Sequence, residues 1–144
     1  MNDPTRLLLV AYWFGAIFDG AMVVPLLVPR IAAAMLGLVG FAPAPDFRYA
    51  AAIGAALMAG WTVLLVWGAL RPLERRGILL LTACPVVVGL IAAGVYAVAS
   101  GLVRLPLMAP MFAFQVGGCA LFVTAYLRGS AFARGATLPE ASGA

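Results

Sequence analysis

Four long runs of apolar residues follow one another along the chain, and short polar or proline-rich segments separate them. The runs cover about residues 7–28, 49–70, 77–100 and 108–127. A helix needs about 20 apolar residues to cross the ~30 Å hydrocarbon layer of a bilayer, so each run is long enough to cross it once. The pattern therefore predicts an all-α membrane protein with four transmembrane helices in an up-down bundle.

A shorter apolar segment, residues 31–41, lies between the first and second runs and is followed by the sequence Ala-Pro-Ala-Pro at 42–45. It is too short to cross the bilayer, so we expect a short helix that lies at the interface or caps the bundle. Asp46 is expected to cap the next helix. The transmembrane domain occupies residues 1–128, and residues 129–144 are expected to form a flexible cytoplasmic tail.

The composition excludes several kinds of catalytic and metal-binding site. Hydrophobic residues make up 65% of the chain and charged residues 10%, whereas soluble domains carry about 25% charged residues. Histidine and lysine are both missing, which removes the commonest zinc and haem ligand and any lysine Schiff base. The sequence has no catalytic triad, paired carboxylates or phosphate-binding loop. We therefore expect no cofactor and no metal site, and an enzyme that handles lipid or quinone is the least supported of the functions considered.

The basic residues are arginines scattered between apolar runs, which favours membrane boundaries over a nucleic-acid surface. Six lie near the N-terminus, the 71–76 turn and the C-terminal segment, and three lie on the opposite side. The positive-inside rule then predicts cytoplasmic termini in a bacterial-type inner membrane. The two groups are Arg6, Arg71, Arg75, Arg76, Arg128 and Arg134 on one side, and Arg30, Arg48 and Arg104 on the other.

Asp19 is the only charged side chain deep inside the first run. At 1.5 Å per residue it lies roughly 18 Å from the cytoplasmic end of its helix, near the middle of the membrane. An ionisable group at this depth suggests a proton, cation or polar-ligand site. Two alternatives remain: a carboxyl group that locks two helices together, or a helix shortened by Pro25 and Pro29 so that Asp19 lies nearer water.

Gln115 in the fourth run lies at a similar depth, roughly 20 Å from the cytoplasmic face. If the first and fourth helices touch, its side chain and that of Asp19 are expected to hydrogen-bond; alternatively, Gln115 bonds to backbone or faces a wet crevice. Thr62 and Tyr96 complete the candidate residues for binding a ligand or ion.

The segment from Trp67 to Arg76 combines an aromatic residue with four charges. Trp67 precedes Arg71 by four residues, which allows a cation–π contact on one helix face. Glu74 is placed to pair with Arg71, Arg75 or Arg76. This segment is either a docking site for anionic lipid head groups or a protein partner, or a charged boundary turn that fixes the topology.

Small residues recur at four-residue spacing in three runs, a pattern that permits close helix contacts. The leading hypothesis is an accessory, assembly or binding subunit that acts through helix–helix contacts, as a homo-oligomer or in a larger membrane complex surrounded by lipid. The alternative is a small, oligomeric transporter or proton/cation-conducting protein that uses Asp19. Cys84 and Cys119 are better explained as two small apolar side chains than as a redox pair. The small stripes are Gly89, Ala93, Ala97 and Gly101; Ala52, Ala56 and Gly60; and Ala113 and Gly117.

Overall fold

The structure is a computed structural model that describes residues 4–135, and this part of the chain is built from helices without strands. Four helices are long and apolar enough to cross a membrane, so the prediction of a four-span, multi-pass membrane protein is confirmed. A short helix lies between the first and second of them, also as predicted. The helices are α1 (Pro4–Leu27), α2 (Pro29–Leu36), α3 (Pro45–Ala69), α4 (Gly77–Ala99) and α5 (Leu105–Gly135).

The N-terminal half of α1 forms the centre of the bundle. It packs along α3 on one side and along α5 on the other, while α4 packs mainly against α5. Leu8, Ala11 and Tyr12 of α1 are fully buried and belong to one core with Leu65 of α3 and Phe122 of α5. The tightest packing is therefore at the end of the bundle where α1 begins and the turn between α3 and α4 lies.

The short helix α2 begins with Pro29 at its first turn and ends at Gly37, whose φ of 66° is a left-handed conformation that favours glycine. A Cβ atom at Gly37 would lie 2.6 Å from Leu107 Cδ1, so the end of α2 lies directly against the start of α5. The next helix begins at Pro45, and Asp46 lies inside its first turn while Ala44 is the N-cap. The prediction that Asp46 caps α3 is wrong because Pro45 already starts the helix.

A π-helical segment, Thr82–Val87, interrupts α4 and contains Pro85. Proline has no backbone N–H and its ring crowds the carbonyl one turn earlier, so the helix widens at this point instead of keeping regular hydrogen bonds. Thr82 and Val87 are buried in this wide turn. One side of the widened turn thus faces the inside of the bundle, whereas Cys84 and Pro85 on its other side are exposed.

The last helix is longer than the fourth apolar run. It continues to Gly135, so residues 129–135 are helical where the sequence suggests the start of a flexible tail. These residues contact the bundle: a Cβ atom at Gly129 would lie 2.9 Å from Leu8 Cδ1, and the Arg76 Nε donates a hydrogen bond to Ser130 Oγ. Residues 136–144 of the expected tail lie outside the described residues.

Candidate functional site

A cavity of about 570 Å³ lies between α1, α2, α4 and α5 and is widely open to the outside, since wall residues such as Met35 and Leu107 are exposed. Met58 is the α3 residue that reaches it. The wall is mainly apolar and is rich in phenylalanine and methionine. These residues are Phe14, Phe18, Met22, Met35, Met58, Met111, Phe114 and Phe122.

Aromatic contacts between α1 and α5 set the relative positions of the two helices beside the cavity. The rings of Phe18 and Phe114 have centroids 4.2 Å apart, and those of Phe14 and Phe114 are 5.1 Å apart. Asp19 and Gln115 are the next residues after Phe18 and Phe114, so this contact brings both polar side chains to the same level of the cavity. The structure thus places the first and fourth spanning helices side by side.

Asp19 Oδ2 and Gln115 Oε1 are buried and have no hydrogen-bond partner. No hydrogen bond joins the two side chains in the described part of the chain, so the expected direct bond between them is not formed. The third polar residue of the wall, Thr82, differs because its hydroxyl donates to Ile78 O at 2.8 Å and accepts from Trp61 Nε1 at 3.1 Å. The wall of the cavity therefore includes the side chains of Asp19 and Gln115, but their unpaired Oδ2 and Oε1 atoms are closed off from its open space.

Thr62 and Tyr96, the other two candidate ligand residues, do not line this cavity. The Thr62 hydroxyl donates to Met58 O, one turn earlier in its own helix, and its methyl group packs near Gly20. Tyr96 is 75% exposed on the outer surface of α4. The structure therefore does not bring these two candidates together with Asp19 and Gln115 in the cavity wall.

The charged turn after α3 is arranged differently from its sequence-based interpretation. The guanidinium of Arg75, not that of Arg71, lies over the Trp67 ring at 3.5 Å from its centroid. The physical reason is that α3 ends at Ala69, so the helical four-residue spacing does not extend to Arg71. Arg71 instead pairs with Glu74 at 3.3 Å, with both side chains mostly exposed. Such a pair contributes little to stability, and docking of lipid or protein here stays a prediction.

This turn ties three helices together at one end of the bundle. The Tyr12 hydroxyl donates to Arg75 O at 2.6 Å, and the Arg75 guanidinium donates to Trp67 O. Arg76 donates both to Leu73 O and, as noted above, to Ser130. The turn residues thus carry structural contacts in addition to charge.

The small-residue stripes lie on the outside of the bundle. Gly89, Ala93 and Gly101 are exposed, as are Ala52, Ala56 and Gly60 of α3 and Ala113 and Gly117 of α5. The close approaches inside the bundle use other glycines. A Cβ atom at these inner glycines would lie within 3.2 Å of a neighbouring side chain at Gly15, Gly68, Gly94, Gly118 and Gly129.

Both cysteines are free: Cys84 is exposed, and Cys119 is half-buried against the core. Among residues 4–135 no group of three or more His, Cys, Asp and Glu side chains is placed to hold a metal ion. Comparisons with protein-family models, with curated proteins and with solved structures find no match for this chain.

The sequence interpretation missed the contribution of α2 and of the π-helical segment to the site. Ala32 and Met35 of α2 and Thr82 and Val86 of α4 line the cavity. Pro85 was the available signal for an irregular helix at this level, since a proline inside a helix disrupts its regular hydrogen bonds. The position of α2 over the cavity had no comparable signal in the sequence.

Proposed function

We propose that the protein is a membrane binding protein that holds one small, mainly apolar molecule in the cavity between α1, α2, α4 and α5. The observation that carries this proposal is the pair of unpaired acceptors, Asp19 Oδ2 and Gln115 Oε1, on two side chains of an otherwise apolar cavity wall. In this function the chain is a binding subunit, and its ligand supplies the missing hydrogen-bond donors.

The energetics favour a ligand over a purely structural role for these two side chains. A buried polar atom without a hydrogen bond costs free energy in the folded state. Had Asp19 and Gln115 served to lock α1 to α5, they would be expected to bond to each other, but Oδ2 and Oε1 are left unpaired. A ligand with hydrogen-bond donors offsets this cost when the two side chains turn their unpaired oxygens toward it.

The size and the wall of the cavity suit such a molecule. Small-molecule sites usually measure about 300–1,000 Å³ and combine apolar walls with a few polar groups, and this cavity has about 570 Å³. Methionine side chains are flexible and polarisable, so the four methionines of the wall adapt to apolar bodies of different shapes. The wide opening gives the ligand a way in.

Photolabelling with phenylbutanol that carries an aryl diazirine tests this function in proteoliposomes. We expect saturable labelling of the cavity wall in the unmodified protein, with unlabelled phenylbutanol as competitor. Ala32→Trp places a large side chain in the cavity from α2 and is expected to lower the saturable labelling at least about tenfold, since filling the site removes the space for the probe.

Ala34→Trp is the matched control, because Ala34 belongs to the same short helix but is exposed and does not line the cavity. It should label like the unmodified protein. Labelling that does not saturate, or that falls equally in both variants, would contradict the proposed function.

We also propose cytoplasmic termini in a bacterial-type inner membrane. The contacts of Tyr12 and Ser130 with the 71–76 turn support the common side of these segments, because they put the start of α1, the turn and the end of α5 at one end of the bundle. This end carries the arginine excess, which the positive-inside rule assigns to the cytoplasm. The small-residue stripes on the outer surface permit close contact with another helix. Association into homo-oligomers or with partner subunits stays a prediction.

Transport or ion conduction is the second candidate, and the half-buried Asp19 near mid-membrane, with its unpaired Oδ2, is what favours it. Flux assays in proteoliposomes separate it from binding alone. A transporter is expected to move its substrate across the bilayer and to lose this flux in Asp19→Asn.

A further inference from the structure

We propose that the cavity selects organic cations: a protonated primary or secondary amine on an apolar body, with its ammonium group held by the carboxylate of Asp19 beside the amide of Gln115. This inference rests on the proposed binding function and specifies its ligand class. Four features of the cavity support it: its charge, its number of unpaired acceptors, its aromatic side chains and its small number of oxygen ligands for a metal ion.

The charge of the cavity is one-sided. Asp19 is the only ionisable side chain in its wall, and none of the arginines of the described segment lines it. A carboxylate in low-dielectric surroundings attracts a cation strongly and repels an anion, because little water screens the charge. A ligand that carries a carboxylate or phosphate would bring a second negative charge to Asp19 without any positive group to offset it.

The number of acceptors distinguishes an amine from an alcohol. Two buried oxygens on neighbouring helices lack a donor. A hydroxyl group has one hydrogen to donate and satisfies one of them, whereas a protonated primary or secondary amine has at least two. A hydrogen bond to a charged group also contributes more than a neutral one. An ammonium group thus has enough donors for both side chains once their unpaired oxygens turn toward the cavity.

The aromatic side chains beside the two oxygens add to this preference. The Phe18 and Phe114 rings directly precede Asp19 and Gln115 in their helices and are in contact with each other and with Phe14. Aromatic faces attract cations, and the attraction is greatest where water is excluded. The apolar body of the ligand then fills the space between the methionines of the wall.

A bare metal ion fits this cavity less well. Calcium takes six to eight oxygen ligands and magnesium an octahedron of six. The side chains of the wall offer the oxygens of Asp19 and Gln115, since the Thr82 hydroxyl is already bonded to Trp61 and Ile78. An organic ammonium needs only a few acceptors and gains from the apolar wall.

The test compares three molecules with one apolar body and different head groups: phenylbutylamine, phenylbutanol and phenylbutyrate. Each competes against the diazirine derivative of phenylbutanol for the cavity in proteoliposomes, so all three are read on the same scale. We expect phenylbutylamine to compete at least about tenfold more strongly than phenylbutanol, given the strength of hydrogen bonds to charged groups. Phenylbutyrate should compete more weakly than either.

Asp19→Asn keeps the size of the side chain and removes its charge. In this variant we expect phenylbutylamine to lose its advantage of about tenfold and to compete like phenylbutanol. Circular-dichroism and size-exclusion profiles like those of the unmodified protein show that the variant is folded, and the two competitors are compared within the same variant. Asp46→Asn, at an exposed site at the start of α3, is the control for loss of one negative charge and should keep the full preference.

The outcomes separate the two proposals. Saturable labelling with equal competition by the amine and the alcohol would overturn the cation selectivity and leave the binding function standing. An amine preference that persists in Asp19→Asn would also overturn it, because the carboxylate would not be its source. Failure of all three molecules to compete for a saturable site would instead contradict the binding function itself.

Discussion

Gly68→Ala is expected to destabilise the bundle more than any other single-methyl change. A Cβ atom at Gly68 would clash with Tyr12 Cε1 and would lie 2.8 Å from Tyr12 Cζ. Tyr12 has no room to move, since it is fully buried and its hydroxyl is bonded to Arg75 O. Overpacking a core commonly costs about 1–3 kcal/mol and occasionally more. We expect a loss of at least this size in the free energy of unfolding, measured by SDS titration in dodecylmaltoside micelles with tryptophan fluorescence.

Gly60→Ala is the matched control in the same helix. Gly60 is exposed, and a Cβ atom there would meet nothing within 4 Å. Alanine favours helix over glycine by up to about 1 kcal/mol, so this variant should be as stable as the unmodified protein or slightly more stable. Equal stability of the two variants would show that α1 and α3 do not meet at Tyr12 and Gly68.

The double variant Asp19→Leu with Gln115→Leu is expected to stabilise the empty protein and to abolish binding. Each unpaired buried polar atom costs about 1–3 kcal/mol, and leucine removes the cost while filling part of the cavity. We therefore expect the free energy of unfolding to rise by about 1 kcal/mol or more. The same variant should lose saturable binding of phenylbutylamine, because neither acceptor remains.

The opposite result distinguishes a structural role from a binding role. If Asp19 and Gln115 held α1 and α5 together, their replacement would lower the free energy of unfolding. Asp46→Leu is the control, since Asp46 is exposed in the first turn of α3. Replacing Asp46 removes no unpaired buried atom, so no gain in the free energy of unfolding is expected. The loss is at most the helix-dipole interaction, about 0.3–1 kcal/mol.

Helix number and approximate bounds were predictable because hydrophobic length is set by the thickness of the bilayer. The ends of the helices were less predictable. The last helix extends to Gly135 because Gly129 and Ser130 contact Leu8 and Arg76, and these tertiary contacts leave no trace in local hydropathy. The start of α3 at Pro45, by contrast, follows a local sequence rule, the preference of proline for the first helical turn.

The depth of Asp19 and Gln115 in the membrane was predictable from the sequence, but the side of its helix on which each residue lies was not. Lipid tails are as apolar as a protein core, so hydrophobic periodicity does not show which side of a membrane helix faces inward. Asp19 and Gln115 were found because polar groups stand out at mid-membrane. Tyr96 was expected beside them and lies on the outer surface. The outward small-residue stripes, such as that of Gly89, were uninformative about the bundle interior for the same reason.

Methyl NMR of the methionines tests the central claim, a binding cavity within the bundle, most directly. Four methionines line the cavity, whereas Met108 is close to Gly94, between α4 and α5, and does not line it. The four reporters, spread over four helices, are Met22, Met35, Met58 and Met111.

In lipid nanodiscs, titration with phenylbutylamine is expected to shift the four reporter signals with one common saturation curve. The Met108 signal should move little, and Asp19→Leu with Gln115→Leu should abolish the saturable shifts. Shifts that grow linearly without saturation, or that affect Met108 as much as the four reporters, would show that the amine dissolves in the lipid around the bundle and does not bind inside it.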